Sequence, residues 1–249
     1  MALIQAHFWS DALSKQTALY AIVPERGRGP FPVFYLLHGL SDDHTIWLRR
    51  TRIESHVSEM PLIVVMPDGY RGFYADHVEG PAYGRYIVED VIGFAERTLP
   101  ALGKRAGRCI GGLSMGGYGA LRLALAHPDL FVSANSHSGA CYAPRMTGLP
   151  KAHEFRRIFG RGKPRPDHDL EALALRIQRA GKTFPQLRID CGTEDFLLQR
   201  NREFHAFLEK RRIAHEYAEF PGGHEWGYWD LHVREALDFH ARALKLRSR

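Results

Sequence analysis

The stretch Arg108-Cys109-Ile110-Gly111-Gly112-Leu113-Ser114-Met115-Gly116-Gly117-Tyr118 reads as an apolar strand, a glycine-rich turn around one serine, and the start of an apolar helix. A serine in G-x-S-x-G between a strand and a helix has the context of a nucleophile elbow. The turn is sharp enough that the residues two before and two after the serine must be small, and Gly112 and Gly116 meet that need. It lifts the hydroxyl to a helix N-terminus, whose dipole favours a developing anion. A phosphate-cradling loop is the competing reading. It fails on spacing, because Gly112-Leu113-Ser114-Met115-Gly116-Gly117 is not G-x-G-x-x-G and no Gly-Lys-Ser/Thr follows.

Outward from this turn, apolar runs alternate with helical periodicity. Leu19 to Val23, Val33 to Leu37, Leu62 to Met66, Arg108 to Leu113, Phe131 to Ser136, Leu187 to Cys191 and Glu216 to Phe220 read as strands. Unbroken apolar strands point to a sheet covered on both faces. Helices are expected over Tyr86 to Thr98, Tyr118 to Ala126, from a cap at Asp169 through Gln178, over Phe196 to Arg211 and over Trp229 to Leu246. Such alternation implies a mostly parallel sheet with right-handed crossovers and helices on both faces, an α/β class. Cys141 to Pro166, rich in Gly, Pro and Arg, breaks the rhythm and reads as an insertion at about 141–166 over the C-terminal edge of the sheet, where ligands bind in such folds. With 249 residues and no linker or repeat, the chain reads as one domain, 1–249.

A serine hydroxyl is too weak an acid to attack unaided, so a histidine must take its proton and a carboxylate must orient that histidine. Among 14 histidines, His224 stands in the loop after the last strand, in Pro221-Gly222-Gly223-His224-Glu225-Trp226, where the glycines let the ring turn back. His215, His232 and His240 fall at strand or helix positions and read as surface or packing residues. The acid should follow the preceding strand, in Gly192-Thr193-Glu194-Asp195. Asp195 is the choice, Glu194 the runner-up, and Asp190 lies inside the strand. An oxyanion formed at Ser114 needs two backbone N–H donors. Met115, just after the serine, offers one. Leu40, after the strand exit His38-Gly39, offers the other, with His38 and Gly39 shaping the turn. Trp47, Tyr74, Tyr83 and Trp226 are candidates to line the substrate pocket.

Composition excludes several classes. A hydrophobic fraction of 45% with 25% charged residues is that of an ordinary globular protein, with enough apolar material for a two-sided core. The net charge of +6 is spread out, and its densest stretches (Arg156-Arg157, Arg161 to Arg165, Lys210-Arg211-Arg212) carry no nucleic-acid recognition motif. Cys109, Cys141 and Cys191 are too few for a disulfide framework and read as core thiols, which fits a reducing, cytoplasmic setting. The N-terminus lacks a signal-peptide pattern and no run approaches a membrane span. Asp42-Asp43-His44 could suggest a metal site, but helix capping accounts for the aspartates, so no metal and no cofactor are expected.

Leu36-Leu37-His38-Gly39-Leu40-Ser41-Asp42-Asp43-His44-Thr45-Ile46-Trp47 resembles the esterase D-like family of α/β hydrolases. That family takes in S-formylglutathione hydrolases, feruloyl and acetyl-xylan esterases and bacterial mycolyltransferases. Val64 to Asp68, Gly72 to Asp76, Gly112 to Gly119, Cys191-Gly192 with Asp195-Phe196-Leu197, and His224-Glu225-Trp226 with Tyr228-Trp229 look like its motifs, nearest to those of bacterial tributyrin esterases. The resemblance runs from about Phe8 to the C-terminus. It implies the α/β-hydrolase fold, a Ser114–Asp195–His224 triad, an oxyanion hole at the Leu40 and Met115 amides, hydrolysis of short acyl esters of small molecules, no cofactor and frequent homo-oligomers. The alternatives are an S-formylglutathione hydrolase or a feruloyl or acetyl-xylan type of esterase, an acyltransferase using the same triad, and a non-catalytic binding protein on a hydrolase scaffold. Gly160 to Pro166 matches nothing in the family.

Overall fold

Eight strands form one sheet in the order β1-β2-β4-β3-β5-β6-β7-β8 in the computed structural model, which describes residues 1–145 and 152–246. The strands are β1 (Ala2–Ser10), β2 (Lys15–Val23), β3 (Val33–Leu37), β4 (Ile63–Pro67), β5 (Arg108–Leu113), β6 (Ser133–His137), β7 (Gln186–Gly192) and β8 (Glu216–Phe220). β1–β2 and β2–β4 pair antiparallel, and every other neighbouring pair is parallel. This is the α/β-hydrolase fold. The buried runs of β3, β4 and, after Arg108, β5 occupy the middle of the sheet, where helices cover both faces.

The helices are α1 (Ile46–Arg50), α2 (Ile53–His56), α3 (Tyr83–Arg85), α4 (Ile92–Thr98), α5 (Met115–Ala126), α6 (Ala152–Phe159), α7 (Leu170–Arg179), α8 (Leu198–Lys210) and α9 (Trp226–Ala243). One face of the sheet packs Tyr35, Leu37, Ile110, Ala134, Leu187 and Ile189 against α5, α7 and α8. The other packs Phe34, Leu36, Cys109 and Leu113 against α1, α2 and α9. Helix α5 is buried from Met115 to Leu125, because it lies between the sheet and α7. Its all-round apolar sequence is the consequence. Asp169 caps α7 as expected, accepting from the Glu171 and Ala172 amides.

The departures from the sequence reading have local causes. The expected strand Phe131 to Ser136 is shifted to Ser133–His137. The expected helix at Tyr86 splits into a π-helical turn (Tyr86–Val91) and α4. Helix α5 starts at Met115, at the elbow itself, because the glycines after Ser114 are already helical. Strand β1 was not anticipated. Its inward residues are Ala2, Ile4, Ala6, Phe8 and Ser10, while Leu3 and Trp9 point outward, half exposed. Outward apolar residues blur the period of two on which strand recognition rests. Within the segment expected as an insertion, 146–151 lie outside the described residues. The rest includes α6, which docks on the loop after β4: the Val78 and Glu79 amides donate to the Ile158 and Arg157 carbonyls, and Phe155 and Phe159 pack on Phe73. Cys109, Cys141 and Cys191 are buried free thiols.

Candidate active site

Strand β5 ends at Leu113, and the chain turns into α5 through Ser114, whose backbone is in the left-handed region (φ 52°, ψ −114°). A non-glycine residue there is strained, and such strain persists only where neighbours over-determine it. Here they do. The Ser114 amide donates to the His137 carbonyl at 2.9 Å, and its carbonyl accepts from the Ala140 amide at 3.0 Å. The small residues at the flanks are obligatory. A Cβ on Gly112 would stand 2.5 Å from the Leu37 carbonyl oxygen and 2.8 Å from the Gly116 carbonyl carbon. One on Gly116 would stand 2.5 Å and 2.6 Å from the carbonyl oxygens of Leu37 and His38. Both clashes are with backbone, which cannot move aside.

His224 reaches back from the loop between β8 and α9. Its Nε2 lies 3.0 Å from Ser114 Oγ, and its Nδ1 lies 2.8 Å from Asp195 Oδ2. Nδ1–H donating to the carboxylate leaves the Nε2 lone pair facing the serine, which is the tautomer a general base requires. Phe196 and Trp229 hold the ring from two sides, with ring centres 4.6 Å and 4.9 Å away. Asp195 is buried, and its other oxygen accepts from the Leu197 amide at 2.8 Å. Burial alone would raise its carboxyl. The hydrogen bonds from His224, the Leu197 amide and the Ser138 hydroxyl outweigh burial and hold it below the usual aspartate range, so it stays a carboxylate.

The competing carboxylates have other occupations. Glu194 accepts from the Thr193 hydroxyl and from the Gly222 amide, so it pins the histidine loop rather than the histidine. Asp190, fully buried in β7, pairs with His137 Nδ1 at 2.9 Å and accepts from the Tyr228 hydroxyl at 3.1 Å.

The loop after β3 brings Leu40 to the same edge. Tyr74 fixes its entry, as its hydroxyl accepts from the His38 amide and donates to the His38 carbonyl, both at 3.1 Å. The His38 ring is engaged at both nitrogens, Nε2 accepting from the Gly69 amide and Nδ1 meeting the Gly39 carbonyl, each at 2.8 Å. His38 thus shapes the turn and has no nitrogen free for proton transfer. Among the described residues neither the Leu40 nor the Met115 amide donates to a protein acceptor. Two free amides beside a strained serine can receive an oxyanion. The Leu40 carbonyl, in turn, accepts from Arg71 at 3.1 Å, and Arg71 makes a bidentate ion pair with Glu154 of α6 at 2.6 and 2.8 Å.

The aromatic pocket candidates need correction. Trp47 and Tyr74 are 1% and 0% exposed, so neither has surface with which to line a pocket. Trp47 is anchored by its indole N–H on the Leu37 carbonyl at 3.1 Å. Tyr83 is also buried, between His77 and Tyr86. All three belong to the packing that carries the loops. Trp226 is half-buried, edge-on to Trp47 and Trp229. Asp43 accepts from the Thr45 amide and hydroxyl ahead of α1, which closes a turn and is not the helix cap expected of it, because Thr45 itself stands at the N-cap and no side chain caps α1. Among the described residues, one group with metal-ligating spacing occurs, His205, Glu209 and His215, on α8 and the approach to β8.

Ser138, Arg71, Phe196 and Trp229 were not singled out by sequence as site residues. Ser138 is buried just past β6 with φ 48°, its Oγ accepts from Trp229 Nε1 at 3.3 Å, and its hydroxyl contributes to holding the Asp195 carboxyl low. No sequence pattern marks a lone serine of this kind. Phe196 and Trp229 flank Asp195 and His224 in the chain, a proximity that could have drawn attention to them.

A family model described as "Putative esterase" matches residues 10–240. An acetyl esterase of Caldicellulosiruptor saccharolyticus is 32% identical, over 96% of this chain and 98% of its own. Among solved structures, the fluorophosphonate-binding serine hydrolase F (FphF) of Staphylococcus aureus aligns with a TM-score of 0.89 at 30% identity, over 96% of this chain and 97% of its own. An S-formylglutathione hydrolase (FrmB) of the same organism aligns with a TM-score of 0.84 at 30% identity, over 96% and 98%. No helix among the described residues is long and apolar enough to cross a membrane.

Proposed function

We propose, from the premise that this chain belongs to that esterase family and is a carboxylesterase of the serine-hydrolase kind, that it hydrolyses short-chain acyl esters of small molecules through an acyl-enzyme on Ser114. The observation that carries this reading is His224 Nε2 at 3.0 Å from the hydroxyl of a serine held at φ 52°. Ser114 Oγ attacks the ester carbonyl as His224 takes its proton. Asp195 keeps the imidazole in its working tautomer and stabilises the imidazolium. The Leu40 and Met115 amides receive the oxyanion, each supplying about 3 kcal/mol to the transition state. His224 then protonates the leaving alcohol, and water repeats the sequence on the acyl-enzyme, restoring Ser114. No step needs a metal or cofactor. The short acyl preference is supported by the likeness to the acetyl esterase.

The test is hydrolysis of p-nitrophenyl esters from acetate to decanoate, with Ser114→Ala as control. Highest kcat/KM on acetate to butyrate, and a loss of roughly five orders of magnitude or more in the variant, is the expected result. Undiminished hydrolysis by Ser114→Ala overturns the assignment. S-formylglutathione belongs in the same assay, because the likeness to the staphylococcal S-formylglutathione hydrolase favours a thioester as second reading. Poor p-nitrophenyl turnover with rapid thioester cleavage selects it.

A further inference from the structure

Away from Ser114, α8 and the approach to β8 bring two imidazoles and a carboxylate together. His205 and Glu209 are four apart on α8 and so share one face of the helix. His215 immediately precedes β8. The donor atoms of the three residues all lie within 4.8 Å of one another.

The two rings are held in place before any ion arrives. The Ile213 amide donates to the Leu208 carbonyl at 3.0 Å, and the buried Ile213 side chain anchors the turn that carries His215. His215 Nδ1 stands 2.8 Å from the Ile213 carbonyl, so that nitrogen carries the proton and Nε2 carries the lone pair. A backbone carbonyl on the far nitrogen is the partner that orients metal-binding imidazoles. The Nε2 lone pair points at His205 Nδ1, 2.8 Å away. His205 is fixed in turn by Tyr217, whose ring stacks flat on it at 4.0 Å with a 6° tilt.

The geometry points to a divalent transition-metal site of the zinc type at His205, Glu209 and His215, with the fourth position open to water. Two imidazole nitrogens and one carboxylate are a ligand set that zinc accepts, at about 2.0 to 2.2 Å from each donor. Donors tetrahedrally arranged at that distance sit roughly 3.4 Å apart. The imidazole nitrogens therefore separate by about half an ångström, and the exposed Glu209 side chain swings in. His205 moves its proton from Nδ1 to Nε2 and presents the Nδ1 lone pair to the ion, so the two rings remain neutral.

The ion would clip α8 to the strand beside it. Asp195 precedes α8 and His224 follows β8, so the clip joins the two elements that carry the acid and the base. It lies at the start of β8, while His224 follows the end of that five-residue strand, roughly 17 Å further along. The ion is thus a brace and takes no part in ester cleavage, and its test is independent of the esterase reading.

The experiment is calorimetric titration of the metal-stripped full chain with zinc chloride, beside thermal unfolding with and without zinc. One saturable site and a raised Tm are expected. His205→Ala and His215→Ala should each weaken zinc binding by about 100-fold or more, and Glu209→Gln by about 10-fold. Near-UV circular dichroism of the metal-free variants separates loss of the site from loss of the fold. If a variant is misfolded, His215→Gln, which keeps a polar side chain before β8, takes its place. No saturable zinc binding, or equal affinity in a folded His205→Ala/His215→Ala double variant, overturns the proposal.

Discussion

The two arms that meet at Ser114, the proposed nucleophile, are built on different principles. The nucleophile arm, β5 through Ser114 into α5, is held by steric exclusion. Its helix is buried from Met115 to Leu125, and Gly112 and Gly116 stand where a Cβ would strike the Leu37 or His38 carbonyl. The acid–base arm, from β7 and β8, is held by directed polar contacts: Glu194 on the Gly222 amide, Ser138 and the Leu197 amide on Asp195, and Asp195 on His224. Steric exclusion gives one position and fails by unfolding. Hydrogen bonds give a graded position and fail by misplacing a proton. Substitutions in the first arm, Ser114 itself apart, should therefore register in stability, and in the second mainly in kcat.

Ser114 itself apart, the largest effect should come from the acid–base arm. Asp195→Asn keeps the size of the side chain but can donate to His224 Nδ1, which favours the wrong tautomer. A fall in kcat of about 10⁴-fold is expected, with Tm moving little. Steady-state kinetics beside calorimetry check this, and kcat within tenfold of the parent would remove Asp195 from the acid role. On the other arm, Gly116→Ala adds one carbon against two carbonyl oxygens and should lower stability by about 3 kcal/mol or more. Urea unfolding reads it, and an unchanged midpoint would show that the elbow has more room than its contacts allow.

The same contrast governs what could be read without coordinates. The elbow was legible because its constraint is local: small residues two either side of a serine, after an apolar strand and before an apolar helix. The place of His224 was legible because Gly222 and Gly223 mark a loop after the last strand, and chain order put the proposed acid in the stretch Gly192 to Asp195, which holds both Glu194 and Asp195. Ser138 and Arg71 were invisible. Each is an ordinary residue whose role arises from neighbours distant in sequence, Trp229 and Asp195 for one, the Leu40 carbonyl and Glu154 for the other. Trp47, Tyr74 and Tyr83 support the loops and do not line a pocket: an aromatic near such a motif reads equally as pocket wall or as buried support, and burial decides. The π-helical turn at Tyr86–Val91 has no pattern of its own at that length.

Polar construction extends below the acid–base arm, to where α9 meets β6. His240 Nδ1 lies 2.8 Å from Ser133 Oγ and Nε2 lies 2.9 Å from Asn135 Oδ1, a pairing that satisfies the neutral ring. Burial, with smaller contributions from His137 and Arg188, pushes its pKa down to about 3 from an ordinary 6.5. Between those values the unfolded chain binds a proton that the folded chain refuses. Stability is therefore full above about pH 6.5 and falls as pH drops toward 3. Between pH 7 and pH 5 this one residue should remove about 2 kcal/mol. His240→Gln, which cannot take up that proton, should show a drop smaller by the same amount in urea unfolding at the two pH values. Equal drops in parent and variant would mean that His240 is not held neutral.

The smallest effect tests whether the polar arm is graded. Ser138 helps hold the Asp195 carboxyl low and receives a hydrogen bond from Trp229, whose ring edges His224. Ser138→Ala removes the hydroxyl while leaving Leu197 and His224 on the carboxylate, so Asp195 keeps its charge but loses part of its aim. One hydrogen bond to a charged group is worth about 1.5 kcal/mol, which corresponds to a kcat roughly tenfold lower. KM for p-nitrophenyl butyrate should hold within about twofold, because Ser138 is buried away from substrate. Rates normalised to sites titrated with an organophosphate separate a misaimed acid from a smaller folded fraction. A tenfold drop per titrated site places Ser138 among the residues that position the triad. An unchanged rate per site would mean that the Leu197 amide and the flanking rings suffice, and that this arm is as rigid as the one carrying the serine.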